Sequence, residues 1–554
     1  MANKSDLHAH INKGYTFKGD SITLGGAMFE GKPVEDALIK VPLKTLNRHG
    51  LIAGATGTGK TKSLQVMAEE LSKKGIPSLL MDIKGDLSGI AASGENNDHI
   101  EWRHGSIGVP YNAEPMPVEL MTLTQKGKGT RLKATVSEFG PILLSKILGL
   151  NDTQGSIVSL LFMYCDDNNL PLIDLKDLRK SLQYINGDGK DAIEEEYGMI
   201  SSASVSTIMR KVIELEQQGA DEFFGERSFE VKDLVRTAEN GYGLVSIIRL
   251  MDIQNKPKLF STFMLSLLAE IYGSFPEQGD ADKPKLCIFI DEAHLVFEEA
   301  TDELLDQIET IIKLIRSKGV GIFFCTQNPQ DVPEDVLAQL GLKVQHALRA
   351  FTAKDRKAIA KAAENYPLSD FYNTDELITQ LGIGEALVTA LNEKGIPTPL
   401  AATLCRAPAT RMDVLSPIEV DNVVKTSEIK DKYNEAIDRE SAYEILTQKI
   451  KQAKEDERIA ELEAIREKEE EELRKKEEAR RIKEEKEWEK RQAKIEREEE
   501  RERAKAERDR SKRRRSTTTR RRSTRKRTST RRKTSSEADM IGDIARGLLG
   551  VFGL

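Results

Sequence analysis

The feature that most constrains this chain is the stretch GLIAGATGTGKTKSLQ at residues 50–65. Gly54, Gly59, Lys60 and Thr61 stand there at the G-x-x-x-x-G-K-[ST] spacing of a phosphate-binding loop. Such a loop needs a buried strand before it and a helix after it, because the helix N-terminus directs backbone N–H groups at the phosphate. The apolar LIAG segment and the amphipathic segment after Lys60 meet this requirement. The stretch therefore predicts a strand–loop–helix unit within an α/β fold.

The loop also predicts the ligand. Lys60 is expected to neutralise the β- and γ-phosphates, and the Thr61 hydroxyl is expected to bind Mg²⁺, so that the nucleotide is ATP with Mg²⁺. The predicted nucleotide-binding residues are Gly54, Ala55, Thr56, Gly57, Thr58, Gly59, Lys60 and Thr61.

The segment KLCIFIDEAH supplies a pair of acids at the end of an apolar strand. Asp291 is predicted to help hold Mg²⁺, and Glu292 to polarise a water that attacks the γ-phosphate. The alternative is that the two acids only cap the following helix.

The next strand, VGIFFCTQ, ends at Gln327, which is predicted to contact the γ-phosphate and the attacking water, or else only to begin a loop. RecA-like ATPases with a catalytic glutamate place the Gln-bearing strand between the other two.

Strands and helices alternate around these segments, which predicts a doubly wound, mainly parallel sheet of the RecA-like P-loop NTPase type. Amphipathic helical patterns dominate one internal stretch and are interpreted as an insertion. The predicted organisation is a short N-terminal lead-in at 1–45, a first part of the ATPase core at 46–104, a mostly helical insertion at 105–240 and a second part of the core at 241–417.

The last quarter of the chain has a different composition, which explains why 32% of the chain is charged. Residues 425–510 are nearly all Glu, Lys, Arg and Ala, and predict a long solvated helix held by i,i+4 ion pairs, or else a coiled coil. A basic disordered tract at 511–536 and a short amphipathic helix at 537–554 are predicted to follow.

The basic tract differs in charge from the rest of the chain, which is acidic. Residues 511–533 contain 13 Lys and Arg and no acid, whereas the whole chain has a net charge of −7. Such a tract suits sequence-independent contacts to nucleic-acid phosphates. It suits anionic lipid equally well, with the terminal helix making a peripheral membrane contact.

Location is predicted from apolar runs and cysteines. The N-terminus MANKSDLHAH lacks the apolar stretch of a signal peptide, and no run approaches 18 apolar residues. The four cysteines are far apart and lie in apolar contexts, which indicates reduced thiols. A cytoplasmic protein without a transmembrane segment is therefore expected.

The segments LIAGATGTGKT, MDIKGDLSGI, FIDEAHLVFEEA and LIRSKGVGIFFCTQNPQDVPEDVLAQLG together resemble the bacterial HerA-like ATPases. These belong to the wider HerA and FtsK group of hexameric DNA-translocating motors. The resemblance implies ATP hydrolysis between subunits of a homo-hexamer, with the residues above in the stated roles. By position, Arg316 in LIRSKGVG matches the arginine that HerA motors offer to a neighbouring subunit's nucleotide. Its alternative role is that of a cation at a helix C-terminus.

Two functions remain open at this point. One is a ring-forming ATPase that moves along or remodels nucleic acid, as a translocase or helicase does. The other is an ATP-dependent scaffold or protein-remodelling ATPase that moves no nucleic acid and associates with a membrane surface.

Overall fold

A computed structural model describes residues 3–279, 281–297, 302–350, 352–435, 437 and 439–513 of the 554. The chain divides into two compact units, Met1–Lys454 and Glu455–Leu554. Within the described ranges the strands are β1 Ser21–Phe29, β2 Lys32–Pro42, β3 Gly50–Ala53, β4 Ser78–Asp82, β5 Val118–Thr122, β6 Thr130–Arg131, β7 Val245–Arg249, β8 Leu286–Ile290, β9 Val320–Thr326, β10 Leu342–His346, β11 Glu385–Thr389 and β12 Ala401–Cys405.

The helices of the same ranges are α1 Lys4–Gly14, α2 Lys60–Lys73, α3 Asp98–Ile107, α4 Val136–Ile147, α5 Asp152–Asp167, α6 Leu175–Ile185, α7 Lys190–Tyr197, α8 Ser202–Gln217, α9 Pro257–Ser274, α10 His294–Phe297, α11 Asp302–Ile315, α12 Glu334–Leu337, α13 Ala353–Glu364, α14 Thr374–Gln380, α15 Pro417–Lys425, α16 Lys430–Asn434 and α17 Ala442–Arg513.

All the strands form one sheet in the order β2-β1-β12-β11-β10-β3-β9-β8-β4-β7-β5-β6. The run from β10 to β6 is parallel, whereas β10–β11, β11–β12, β12–β1 and β1–β2 pair antiparallel. The α/β fold with a mainly parallel sheet is thereby confirmed. The strand β9 lies between β3 and β8, as expected for the RecA-like arrangement.

Side chains of the central strands alternate between two cores. Ile288 and Ile290 of β8 face a core that includes the helices α4–α9, whereas Cys287 and Phe289 face a second core that includes α1 and α2. Successive residues of a strand point to opposite faces, so a strand that is apolar throughout must be covered on both sides. The carboxyl ends of the parallel strands lie along one edge of the sheet, at which several loops can meet.

The predicted insertion differs from the structure at its N-terminal end. Residues 105–240 do contain the five helices α4–α8, but β5 and β6 belong to the sheet and extend it beyond β7. The predicted lead-in also contributes to the sheet, since β1 pairs with β12 at one end. Pairings between distant segments leave no local signature in the sequence. The helical pattern of residues 105–240 therefore led to the prediction of an insertion, and the two short strands were missed.

The charged helix begins later than predicted. Residues 425–441 hold the end of α15 and all of α16, where Tyr433 is fully buried, and α17 begins only at Ala442. Ala442 and Leu446 are buried in the first unit, and residues 451–508 are exposed throughout. Ion pairs at i,i+4 spacing support this solvated helix, among them Arg480–Glu484 at 3.2 Å.

Residues 514–554, which hold most of the predicted basic tract and the whole predicted terminal helix, lie outside the described residues. No helix in the described ranges combines the length and the apolar character that a membrane crossing requires. Cys165, Cys287, Cys325 and Cys405 are buried and form no disulfide.

Candidate active site

The phosphate-binding loop connects β3 to α2 at the carboxyl edge of the sheet. Gly59 precedes the helix with φ of +113°, and a Cβ at this position would lie 3.2 Å from the backbone nitrogen of Gly384. A Cβ at Gly54 would lie 2.5 Å from Cβ of His346. Only glycine fits either place without displacing a neighbour. Since Gly59 has no side chain to cap α2, the first N–H groups of the helix remain available for an anion.

Lys60 is the first residue of α2 and folds back over the loop. Its Nζ donates to the carbonyl oxygens of Gly54 at 2.7 Å and Ala55 at 3.2 Å. Burial lowers the pKa of Lys60, although the charge of Glu292 opposes this shift. Thr61 follows in the first turn and is half-buried. The loop thus places one ammonium group and one hydroxyl at the N-terminus of the helix.

Asp291 and Glu292 directly follow β8, two strands away from β3. Asp291 is 2% exposed, and its Oδ2 has no hydrogen-bond partner among the described residues. Burial, together with the charge of Glu292, raises the pKa of Asp291 to about 7. A buried carboxyl with an unused oxygen is a suitable ligand for a cation. Mg²⁺ is commonly held by one or two carboxylates together with the phosphates of its substrate, so Asp291 and Thr61 fit the predicted metal.

Glu292 has a left-handed backbone with φ of +47°. Its carboxylate forms an ion pair with Lys84, and His294 Nδ1 lies 3.3 Å from Oε2. Burial would raise the pKa of Glu292, but Lys84, His294 and Gln327 together outweigh this effect and lower it. Left-handed backbone is uncommon for a residue other than glycine, and such residues concentrate at functional sites. The backbone of Glu292 thus shares a feature with residues of functional sites.

Gln327 joins the loop and the acids. Its Nε2 lies 3.5 Å from Oε2 of Glu292, and its Oε1 lies 3.4 Å from Oγ1 of Thr56. It reaches both because β9, which it follows, runs between β3 and β8. The structure thus brings together the loop, Asp291, Glu292 and Gln327.

Arg316 does not join this group within one chain. It lies in the short turn Arg316–Lys318 that precedes β9, whereas Gln327 follows the same strand. The seven residues of β9 separate the two by roughly 20 Å. Arg316 is exposed at the opposite edge of the sheet.

Lys84 and His346 also lie beside the residues described above. From its sequence, the segment DIKGD favours two interpretations equally: Asp82, Lys84 and Asp86 orient the nucleotide site, or Asp and Gly85 stabilise a turn. The structure shows the turn, and it also shows an ion pair between Lys84 and Glu292. Asp82 accepts N–H bonds from Gly85 at 2.7 Å, Asp86 at 3.1 Å and Leu87 at 3.2 Å.

His346, at the end of β10, was not predicted at all. It ends the parallel neighbour of β3, so the same carboxyl-edge argument used for Asp291 could have identified it. Its Nδ1 lies 2.8 Å from the carbonyl oxygen of Glu385, and its Nε2 lies 2.9 Å from the Ser63 hydroxyl. Because a carbonyl oxygen only accepts, Nδ1 carries a proton. Burial lowers the pKa of His346 to about 4, so the ring is neutral at pH 7 and Nε2 accepts from the Ser63 hydroxyl.

The free energy of unfolding is expected to decrease when the pH falls below 6.5, because His346 is buried in its neutral form. Burial lowers its pKa to about 4 from an ordinary 6.5, so between these values the unfolded chain binds a proton that the folded chain does not. The contribution is complete above pH 6.5, is lost as the pH falls towards 4, and amounts to about 3 kcal/mol. Thermal melts at pH 7 and pH 5 should differ less for His346→Gln than for the wild type. The exposed His99→Gln is the control, and equal pH dependence in all three proteins would contradict a neutral His346.

The chain is similar in sequence to known proteins. The sequence model of the family described as Helicase HerA-like C-terminal matches residues 29–553. The DNA double-strand break repair helicase HerA of Sulfolobus acidocaldarius is 21% identical over 380 residues, which cover 65% of this chain and 66% of that protein, just under two thirds of its length. The probable helicase MJECL08 of Methanocaldococcus jannaschii is 24% identical over 432 residues, or 72% of each chain.

Among solved structures, the bacterial conjugative coupling protein TrwBdeltaN70 in its unbound monoclinic form has a TM-score of 0.49 at 14% identity. The superposition covers 74% of this chain and 94% of that protein. The family match extends over nearly the whole sequence, from residue 29 to residue 553. This chain therefore belongs to the helicase HerA-like C-terminal family.

Proposed function

We propose that this protein hydrolyses ATP with Mg²⁺ and couples hydrolysis to movement along, or remodelling of, nucleic acid as a ring-forming ATPase. The observation that carries the proposal is the position of Gln327, between Thr56 of the phosphate-binding loop and Glu292 of the acid pair. A water held by Gln327 and Glu292 would face a γ-phosphate bound at the loop. Membership of the HerA-like family supports the coupling to nucleic acid.

The residues divide the reaction between them. The loop amides and Lys60 would hold the β- and γ-phosphates, and Thr61 with Asp291 would hold Mg²⁺, which when bound supplies charge neutralisation at the phosphates. Glu292 would take a proton from the attacking water, and Gln327 would orient that water. Arg316, at the far edge of the sheet, would serve the site of a neighbouring subunit in the ring.

DNA stimulation of ATP turnover tests this function most directly. Phosphate release by the full-length protein should be measured alone, with duplex DNA and with single-stranded DNA. We expect turnover without DNA and a clear increase with at least one of the two. Hydrolysis that no nucleic acid stimulates would favour the protein-remodelling alternative, and the absence of hydrolysis would contradict the proposal at its root.

Deletion of residues 511–533 is expected to weaken DNA binding. The segment contains 13 basic residues and no acid, and contacts to several phosphates make affinity fall steeply with salt. The loss should therefore be larger at low ionic strength, measured as fluorescence anisotropy of a labelled duplex at two salt concentrations. A variant with Gln at the 13 basic positions keeps the length and serves as the control for spacing. Unchanged binding would assign the tract to another role, and liposome flotation would then test a membrane contact.

A further inference from the structure

The loop that follows β4 holds a lysine whose backbone is fixed and whose side chain is accessible. Asp82 accepts three backbone N–H bonds from the loop, and Gln254 Nε2 donates to the carbonyl oxygen of Ile83 at 2.5 Å. Gly85, with φ of +82°, packs against Met251 so closely that a Cβ would lie 2.2 Å from its Sδ. Lys84 projects from this braced loop, with 42% of its side chain exposed.

Lys84 contacts Glu292, the general base of the proposed reaction. Its ammonium pairs with one carboxylate oxygen of Glu292, while His294 and Gln327 lie 3.3 and 3.5 Å from the other oxygen. Oε1 of Glu292 therefore faces a cation, and Oε2 faces two further groups. A carboxylate oxygen can accept more than one hydrogen bond, but an adjacent ammonium group lowers its capacity to take a proton. Glu292 would therefore be the stronger general base when Lys84 withdraws.

The same lysine lies on the side of the acid pair that is connected to the phosphate-binding loop. Lys84 pairs with Glu292, and Gln327 lies 3.5 Å from Glu292 and 3.4 Å from Thr56 of the loop. Lys60 marks where the β- and γ-phosphates bind in loops of this type. A phosphate bearing two or more negative charges between Lys60 and Lys84 would compete with the single charge of Glu292 for Lys84.

We propose that Lys84 is a second cation for the terminal phosphate of a nucleoside triphosphate, and that it exchanges between this phosphate and Glu292. This inference rests on the proposed function. A triphosphate draws Lys84 away and frees an oxygen of Glu292, whereas a diphosphate leaves the Lys84–Glu292 ion pair in place. Lysine suits the exchange because its ammonium is a compact charge on a flexible stem, which can change partners while the braced backbone stays still. The site thereby distinguishes its substrate from its product.

The test compares two nucleotides in Lys84→Met, which keeps the length of the side chain and removes the charge. Affinities for a non-hydrolysable ATP analogue and for ADP are measured by calorimetry in the presence of Mg²⁺. We expect the analogue to bind roughly 10- to 100-fold more weakly, the loss of one charge-assisted contact, and ADP to bind within about twofold of wild type. Lys84→Arg should recover part of the preference for the analogue.

Lys74→Met is the matched control, because Lys74 lies beyond the far end of α2 and pairs with Asp20 at 3.3 Å. An equal loss of both nucleotides in Lys84→Met would overturn the proposal, because it would show that Lys84 only shapes the loop. Unchanged affinity for both would overturn it as well. These affinities do not depend on turnover. If the wild-type protein binds ATP and ADP but does not hydrolyse ATP, the proposed function is refuted. The comparison of the two affinities in Lys84→Met would still test the role of Lys84.

Discussion

Glu292→Gln is expected to bind ATP and to lose turnover by about 10²- to 10⁴-fold, the usual contribution of a positioned general base. The substitution keeps the size of the side chain and removes the group that accepts a proton. The carboxylate oxygens are already placed near Gln327 and His294, and the left-handed backbone at φ of +47° orients them. An amide in this place can still contact Gln327 but cannot take the proton of a water.

Two measurements separate binding from chemistry in this variant. Phosphate release gives the turnover, and titration with ATP in the absence of turnover gives the affinity. Lys60→Ala is the contrasting variant and should lose binding itself, because Lys60 bridges the carbonyl oxygens of the loop and would neutralise the phosphates. Glu334→Gln, at an exposed pair with Lys361, is the control for a surface charge. Full turnover by Glu292→Gln would remove the role assigned to that acid.

The parts of the site that were predictable are local in sequence or follow from parallel strands. The loop from Gly54 to Thr61 is one continuous motif between a strand and a helix, so its position needs no information about the rest of the fold. Asp291, Glu292 and Gln327 each follow an apolar strand, and parallel strands that lie side by side bring such residues to one edge. The pattern of strands was therefore enough to group them.

The parts that were not predicted depend on partners far apart in the chain. Lys84 and Glu292 are more than 200 residues apart, and nothing near DIKGD specifies which carboxylate the lysine meets. The pairing of β5 with β7 has the same character, since it joins segments on either side of the helices α4–α8. Contacts between residues this far apart in the chain are determined by packing and not by local propensity.

The start of the charged helix was misplaced for a different reason. Charge composition alone suggested residue 425, but Tyr433 and Leu446 are apolar residues within a charged stretch, and both are buried. Single apolar residues in a charged stretch indicate packing against a core, but they hardly change the average composition of the stretch. Truncation at residue 425 would therefore remove part of the core, and Lys454 is the better boundary because the first unit ends there.

Arg316→Ala is expected to preserve folding and ATP binding while turnover falls by about 10³- to 10⁵-fold, the effect known for arginine fingers in other NTPases. The reason is geometric. Arg316 stands before β9 and the site stands after it, so in a single chain the length of the strand keeps them apart. A head-to-tail interface in a ring joins two different surfaces of neighbouring subunits, and it can bring one edge of the sheet to the other edge of the next.

The competing role for Arg316 is a cation at the C-terminus of α11, which stabilises a helix by about 0.3–1 kcal/mol. Lys318 lies in the same turn but pairs with Glu277 at 3.0 Å and lies over the ring of Tyr272. Lys318→Ala is therefore the matched control, because it removes a cation from the same turn. If Arg316 only stabilises the helix, both variants should melt slightly earlier and keep their turnover.

Mixing variants tests whether the site is shared. Glu292→Gln keeps its arginine and Arg316→Ala keeps its acid, so a site formed by an Arg316→Ala subunit and the arginine of a Glu292→Gln neighbour is complete. Random mixing in equal amounts would make about a quarter of the interfaces in a closed ring complete, and turnover should recover accordingly. Mass spectrometry of the assembled particles must first establish that the rings are mixed. No recovery in such rings, or full turnover by Arg316→Ala alone, would contradict a site completed by the neighbouring subunit.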